Sequence, residues 1–143
     1  MAYILDIDGQ KHCFCGDTLF SAGCGRVFTG TIEQLHDSFK HLNGLPAETL
    51  LYPAHEYTAS NLRFGLSIEP ANEAMQQALA QAEEKTAQGI PTLPVTLEHE
   101  RAINVFLRTQ EPSVIAGVKS KVTIDDDKSL TIFAALRELK NNF

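Results

Sequence analysis

No apolar run in these 143 residues approaches the ~20 needed to span a bilayer, and no basic start leads into an apolar core. Neither a membrane partner nor a secretory leader is therefore expected. Positive charge is short as well, with 12 Lys and Arg against 18 Asp and Glu and a formal net charge of −6. A general nucleic-acid binder needs a basic patch to neutralise phosphates, so that class is excluded too. The three cysteines, Cys13, Cys15 and Cys24, are odd in number and crowded together, which makes a poor disulfide framework. They point to a reducing compartment, the cytoplasm. Internal repeats and low-complexity tracts are absent. What is present is ordinary for a globular protein, 43% hydrophobic and 21% charged, long enough for one domain or a small domain and part of another.

The first third alternates strand and helix signals. Residues 2–7 and 11–16 read as a β-hairpin around Asp8-Gly9, a strong turn dipeptide. A strand opening at residue 2 is either a sheet edge or the continuation of something earlier. Thr31 and Gln34 form a capping box for a helix with the apolar stripe Ile32, Leu35, Phe39 and Leu42, closed by Asn43-Gly44. Thr49 to Tyr52 follow as a short buried strand, giving a layered β-β-α-β order. After Thr58 the pattern turns helical. Helices are predicted over 61–68, over 71–88 closed by Gly89, from a Thr96 cap towards Leu107, and after Asp125-Asp126-Asp127 with the stripe Ile132, Leu136, Leu139 and Phe143. Residues 90–95 read as a rigid loop, and the boundary falls near residues 58–61.

Two polar runs resist explanation by burial. Gly16-Asp17-Thr18-Leu19-Phe20-Ser21-Ala22-Gly23-Cys24-Gly25-Arg26 puts one carboxylate where a strand breaks into a Gly-rich loop. Pro53-Ala54-His55-Glu56-Tyr57-Thr58 offers imidazole, carboxylate and phenol together. Strand ends cluster at one edge of a sheet, so Asp17 and His55 become candidate metal ligands, suited to zinc, iron or manganese. Two ligands are too few for a catalytic zinc, which takes three. His12, Cys13 and Cys15 are the nearby candidates for more. Cys13, Cys15 and Asp17 share a strand face, but a C-x-C without a second pair favours buried apolar cysteines. His36, His41 and His99 read as surface residues on helices. Arg137 and Lys140, three apart on the last helix, can clamp a carboxylate or simply form a solvated face.

These residues resemble glyoxalase II, the hydroxyacylglutathione hydrolases of the metallo-β-lactamase superfamily. The resemblance runs through Gly16-Asp17-Thr18-Leu19-Phe20, Gly23-Cys24-Gly25-Arg26 and His55-Glu56-Tyr57-Thr58. It continues in Asn61-Leu62-Arg63-Phe64, Glu69-Pro70, Pro91-Thr92-Leu93-Pro94, Asn104 with Phe106-Leu107-Arg108, and Arg137-Glu138-Leu139-Lys140. It implies an α/β fold of the αββα metallo-β-lactamase type. Residues 1–58 would form the C-terminal half of that sandwich, and residues 59–143 a helical glutathione-binding domain. The family places two divalent metals in the site, zinc or alternatively iron or manganese. The resemblance makes Asp17 the aspartate bridging them and His55 a ligand of the second. It makes Arg26, Tyr57, Arg137 and Lys140 glutathione-binding, the last two at the glycine carboxylate. Cys24 matches a family cysteine with no assigned chemistry. Phe28 stands where some members have a tyrosine, and Ala54 where a glycine precedes the histidine.

The family's other ligands come from a T-H-x-H-x-D-H motif and a further histidine upstream, and this sequence contains no H-x-H. The resemblance is therefore to the C-terminal half of such an enzyme. The first reading is that the parent enzyme hydrolyses S-2-hydroxyacylglutathione to glutathione and a 2-hydroxy acid, this chain alone being inactive. The alternative is a non-catalytic module that binds glutathione conjugates. A mononuclear-iron persulfide dioxygenase branch is disfavoured by the long helical tail. Half a layered sheet exposes an apolar face, so a homo-oligomer, or pairing with a missing N-terminal half, is expected.

Overall fold

The computed structural model describes residues 2–27 and 29–143, which leaves the Phe28 reading outside the described residues. Asp8 and Gly9 both take positive φ, 52° and 81°, the conformation a two-residue hairpin turn demands. They join β1 (Tyr3–Ile7) to β2 (Gln10–Gly16) in antiparallel register, Ile7 opposite Gln10 and Tyr3 opposite Phe14. The helix α1 (Ile32–Asn43) carries the expected capping box, Thr31 accepting from the Gln34 amide and the Gln34 side chain accepting from the Thr31 amide. It ends at Gly44 in the right-handed region, φ −80°, so the stop needs no left-handed glycine.

From α1 the chain returns as β5 (Leu50–Pro53), parallel to β2, with Cys13 opposite Leu51. Between β2 and α1 lies a feature missed in the sequence, the small hairpin of β3 (Leu19–Phe20) and β4 (Gly23–Cys24). Its strands are only two residues each, too short for a periodic signal. β6 (Val95–Thr96), at the junction of the expected loop 90–95 and the expected Thr96 cap, adds a fourth strand antiparallel to β5 and gives the order β1-β2-β5-β6.

The helices are α2 (Thr58–Ile68), α3 (Glu73–Ala87), α4 (Leu97–Ile103), α5 (Pro112–Lys119) and α6 (Ser129–Asn141). α2 starts three residues before the expected 61, and α5 was not anticipated. The helix expected to run to Leu107 breaks at Asn104, whose side chain accepts from the Phe106 amide and caps a 3-10 turn at Val105–Leu107. A short Asx-type bond competes here with helix continuation. Among the described residues no helix is long and apolar enough to cross a membrane.

One face of β2 and β5 buries Cys13, Cys15 and Leu51 completely. Behind it Phe39 of α1, Phe106 of the 3-10 turn and Phe133 of α6 meet edge to face, with centroids 5.2 to 6.4 Å apart. His36 corrects the surface reading. It is buried beside Phe133, and its Nε2 lies 2.9 Å from Ser129 Oγ, tying α1 to α6. Burial, outweighing the nearby Asp37, holds its imidazole below the ordinary histidine range. Glu69, at the end of α2, is buried and held by Arg108 through two bonds of 2.9 and 3.0 Å, with Ser113 as a further donor. Burial raises its pKa, but these bonds together outweigh that and keep the carboxylate ionised below its usual range. The contrast is β1, whose five residues are all exposed.

Candidate functional site

Parallel pairing of β2 with β5 brings both strand ends to one edge, Gly16 opposite Pro53. The Ala54 amide donates to Gly16 O at 3.0 Å and extends the pairing beyond the strand. Ala54 is not in the left-handed region, so alanine fits where the family has glycine. The next residue on each strand thus meets the other: His55 Nε2 lies 3.2 Å from Asp17 Oδ1, and both side chains are exposed. His55 stacks on Tyr57 at 5.3 Å, and Phe20 sets its edge against Tyr57 at 5.1 Å.

Beyond Asp17 the chain doubles back through the β3–β4 hairpin. Gly25 then passes directly over the Asp17 backbone, where a Cβ would lie 1.8 Å from the Asp17 carbonyl oxygen. Only glycine permits that approach, and it places Arg26 beside the strand ends. The opposite wall is α6. Arg137 is only 6% exposed, its Nη1 donating to the carbonyls of Cys24 (2.7 Å) and Gly25 (3.3 Å) and its Nε to Asn141 Oδ1 (3.1 Å). One turn on, the Lys140 ammonium sits 5.6 Å from the Phe64 ring centroid and 5.4 Å from that of Phe143. Desolvation, reinforced by Arg137 and Arg26, holds its pKa below the ordinary lysine range. Phe143, expected on the buried stripe, lies past the end of α6 and is exposed against this cleft.

All six residues singled out in the sequence, Asp17, Arg26, His55, Tyr57, Arg137 and Lys140, line one cleft of about 670 Å³. It has a carboxylate–imidazole end and a cationic end. Arg137 differs from the sequence picture in being largely committed to loop carbonyls rather than free. Cys24 beneath it is buried, and burial, partly offset by Arg137, pushes its thiol up to about 12. It is a neutral thiol at pH 7, not a nucleophile. The sequence reading missed Glu100 and gave no role to Asn61 and Asn104, which it named only for the resemblance; all three hold the hairpin from behind. Asn104 at i+4 from Glu100 was the available signal.

Ligand atoms each ~2.1 Å from a shared zinc lie roughly 3–3.5 Å apart, so the Asp17–His55 spacing suits two ligands of one cation. It suits an ion pair equally well. Among the described residues no group of three His, Cys, Asp or Glu stands together to hold a metal. The other candidates point elsewhere: His12 Nδ1 lies 3.0 Å from the Tyr52 hydroxyl, and Cys13 and Cys15 are sealed in the core. The residues here supply two donors and do not fit a complete metal centre.

The strand-end pair of Asp17 and His55 thus faces a wall of α6 that carries Arg137 and Lys140. Residues 56–143 match the family described as hydroxyacylglutathione hydrolase C-terminus, and the chain belongs to that family. A hydroxyacylglutathione hydrolase of Neisseria meningitidis serogroup A is 58% identical over 142 residues, covering 99% of this chain and 55% of the relative. One of Neisseria gonorrhoeae is 57% identical over the same length. One of Vibrio cholerae is 55% identical over 135 residues, covering 94% of this chain and 53% of the relative. The chain spans about half the length of the curated relatives it matches.

Proposed function

We propose that this chain supplies the glutathione-recognition wall and two metal ligands of an enzyme that hydrolyses S-2-hydroxyacylglutathione, such as S-lactoylglutathione. The single observation that carries this reading is one cleft that gathers Asp17 and His55 at the strand ends, Arg26 beside them, and Arg137 and Lys140 on the wall formed by α6. A glutathione thioester carries carboxylates at its peptide ends and its scissile bond between. Lys140 and Arg137 attract the glycine carboxylate, Arg26 adds positive charge across the cleft, and the Tyr57 ring and hydroxyl flank the path to His55. This holds the thioester carbonyl near the strand ends, converting remote binding energy into orientation. The overall reaction adds the water oxygen to that carbon and breaks the C–S bond, giving the 2-hydroxy acid carboxylate and the glutathione thiolate, with the two protons of the water passing to solvent.

Divalent metals, zinc first with iron and manganese as alternatives, would activate that water and take Asp17 and His55 as ligands. Their remaining donors must come from outside the described cleft, so no hydrolytic step is assigned to these residues alone. The αββα sandwich is the finer fold reading, with residues 1–58 as part of it and 59–143 as the helical domain. It is supported by the exposed apolar residues Leu5, Ile7 and Phe14 on the β1–β2 hairpin. A homo-oligomer, or a partner supplying the rest of the sandwich, would cover them. Three free, buried cysteines fit a cytoplasmic setting.

The test is turnover of S-lactoylglutathione by the purified chain with zinc, beside one of the longer relatives. The relative turns over and the chain does not. Turnover at a rate comparable to the relative's contradicts the incomplete metal end. A non-catalytic module that binds glutathione conjugates is the second reading, favoured by the gathering of Arg26, Arg137 and Lys140 on one cleft. It gains if the chain, mixed with the relative's other half, binds conjugate and still hydrolyses nothing.

A further inference from the structure

Glu100 of α4 is fully buried, and no cation pairs with it among the described residues. Such a carboxylate is costly unless its oxygens are hydrogen-bonded. Here they are: Ser21 Oγ donates to Oε1 at 2.6 Å, and the Ala22 amide (2.8 Å) and Asn104 Nδ2 (3.1 Å) donate to Oε2. Asn104 Nδ2 also reaches Gly23 O at 3.0 Å, and Asn61 Nδ2 donates to Ser21 O at 3.1 Å. Ala22 holds φ +59°, a left-handed conformation that a non-glycine residue resists. In that conformation its amide donates to Glu100.

We propose that Glu100 is a positioning residue for the glutathione-binding loop, pinning the β3–β4 hairpin so that Arg26, Arg137 and Asp17 share one cleft. The proposal rests on the reading of that cleft given above. The chain of contacts is continuous. The pinned hairpin runs directly into Cys24 and Gly25, whose carbonyls hold Arg137, and Gly25 lies against the Asp17 backbone. Releasing Ser21 and Ala22 therefore loosens both ends of the cleft, although Glu100 itself lines neither.

The test combines amide hydrogen exchange with calorimetry of S-hexylglutathione, a thioether that cannot be hydrolysed. In Glu100→Ala, amides of Ser21–Arg26 exchange at least about tenfold faster and affinity falls at least about tenfold, because the buried Ala22 amide and Asn104 Nδ2 lose their shared acceptor. Amides in α3 do not change. Glu100→Gln rescues both to within about twofold, since its oxygen accepts from Ala22 and Asn104 while its amide donates to the Ser21 hydroxyl. Should Glu100→Ala not fold, Ser21→Ala removes one bond and gives a roughly threefold change in the same residues. Unchanged hairpin exchange and affinity in these variants overturn the proposal, as does acceleration spread evenly over α3 and α6. A wild-type chain that binds no thioether overturns the cleft reading instead, while the hairpin exchange still decides whether Glu100 positions that hairpin.

Discussion

The two ends of the cleft are built differently. At the cationic end, Arg137 is buried, its fork spent on loop carbonyls, and its helix rests on the Phe39–Phe106–Phe133 cluster. At the strand end, Asp17 and His55 are exposed, touch each other, and hang from a sheet whose outer strand β1 is bare. In the proposed function, the recognition wall is therefore embedded in this chain's own core, whereas the proposed metal edge is a surface with two donors. Binding and chemistry should respond to different mutations.

The largest effect is expected where the cationic end rests on the core. Phe133→Ala costs about 3–5 kcal/mol in urea unfolding, because the ring is fully buried among aromatic neighbours. By contrast Leu5→Ser on exposed β1 changes stability by less than about 0.5 kcal/mol. A comparable loss at both positions would erase the contrast.

Next comes the binding wall itself. Arg137→Met fills similar volume but abandons the Cys24 and Gly25 carbonyls and the ligand's carboxylate, so thioether affinity drops roughly 10- to 100-fold by calorimetry. Asp17→Asn leaves that affinity within about twofold, since the hydrogen bonds it would weaken lie at the other end. Equal losses would mean the ends are one unit.

The smallest expected effect is a pH shift. Lys140 has a depressed pKa in the fold, from desolvation first and then from Arg137 and Arg26. Its charge, and with it part of the affinity, is present on the acid side and lost as pH rises through that lowered value. The fall therefore begins at lower pH than an ordinary lysine would give. Lys140→Arg moves it to more alkaline pH, and a pH profile identical in both forms removes Lys140 from the site.

Much of this was legible in the sequence wherever a local rule carried it. Asp8-Gly9 fixed the hairpin, Thr31 with Gln34 fixed the start of α1, and two strand ends followed by polar loops placed Asp17 beside His55. The rest depended on contacts distant in sequence. His36 looks like a surface residue until Ser129, 93 positions away, meets it. The β3–β4 hairpin has too few residues for a pattern and exists because Glu100, Asn104 and Asn61 hold it. Arg137 and Lys140 could be paired by helical spacing, but the burial of one and the desolvation of the other depend on Cys24 and Phe64.

The most direct measurement is calorimetric titration of the metal-free chain with S-hexylglutathione. The account predicts saturable binding without metal, because it assigns the whole recognition wall to this chain. No binding at millimolar thioether would contradict it, and would mean that the cationic end, like the strand end, is only half a site.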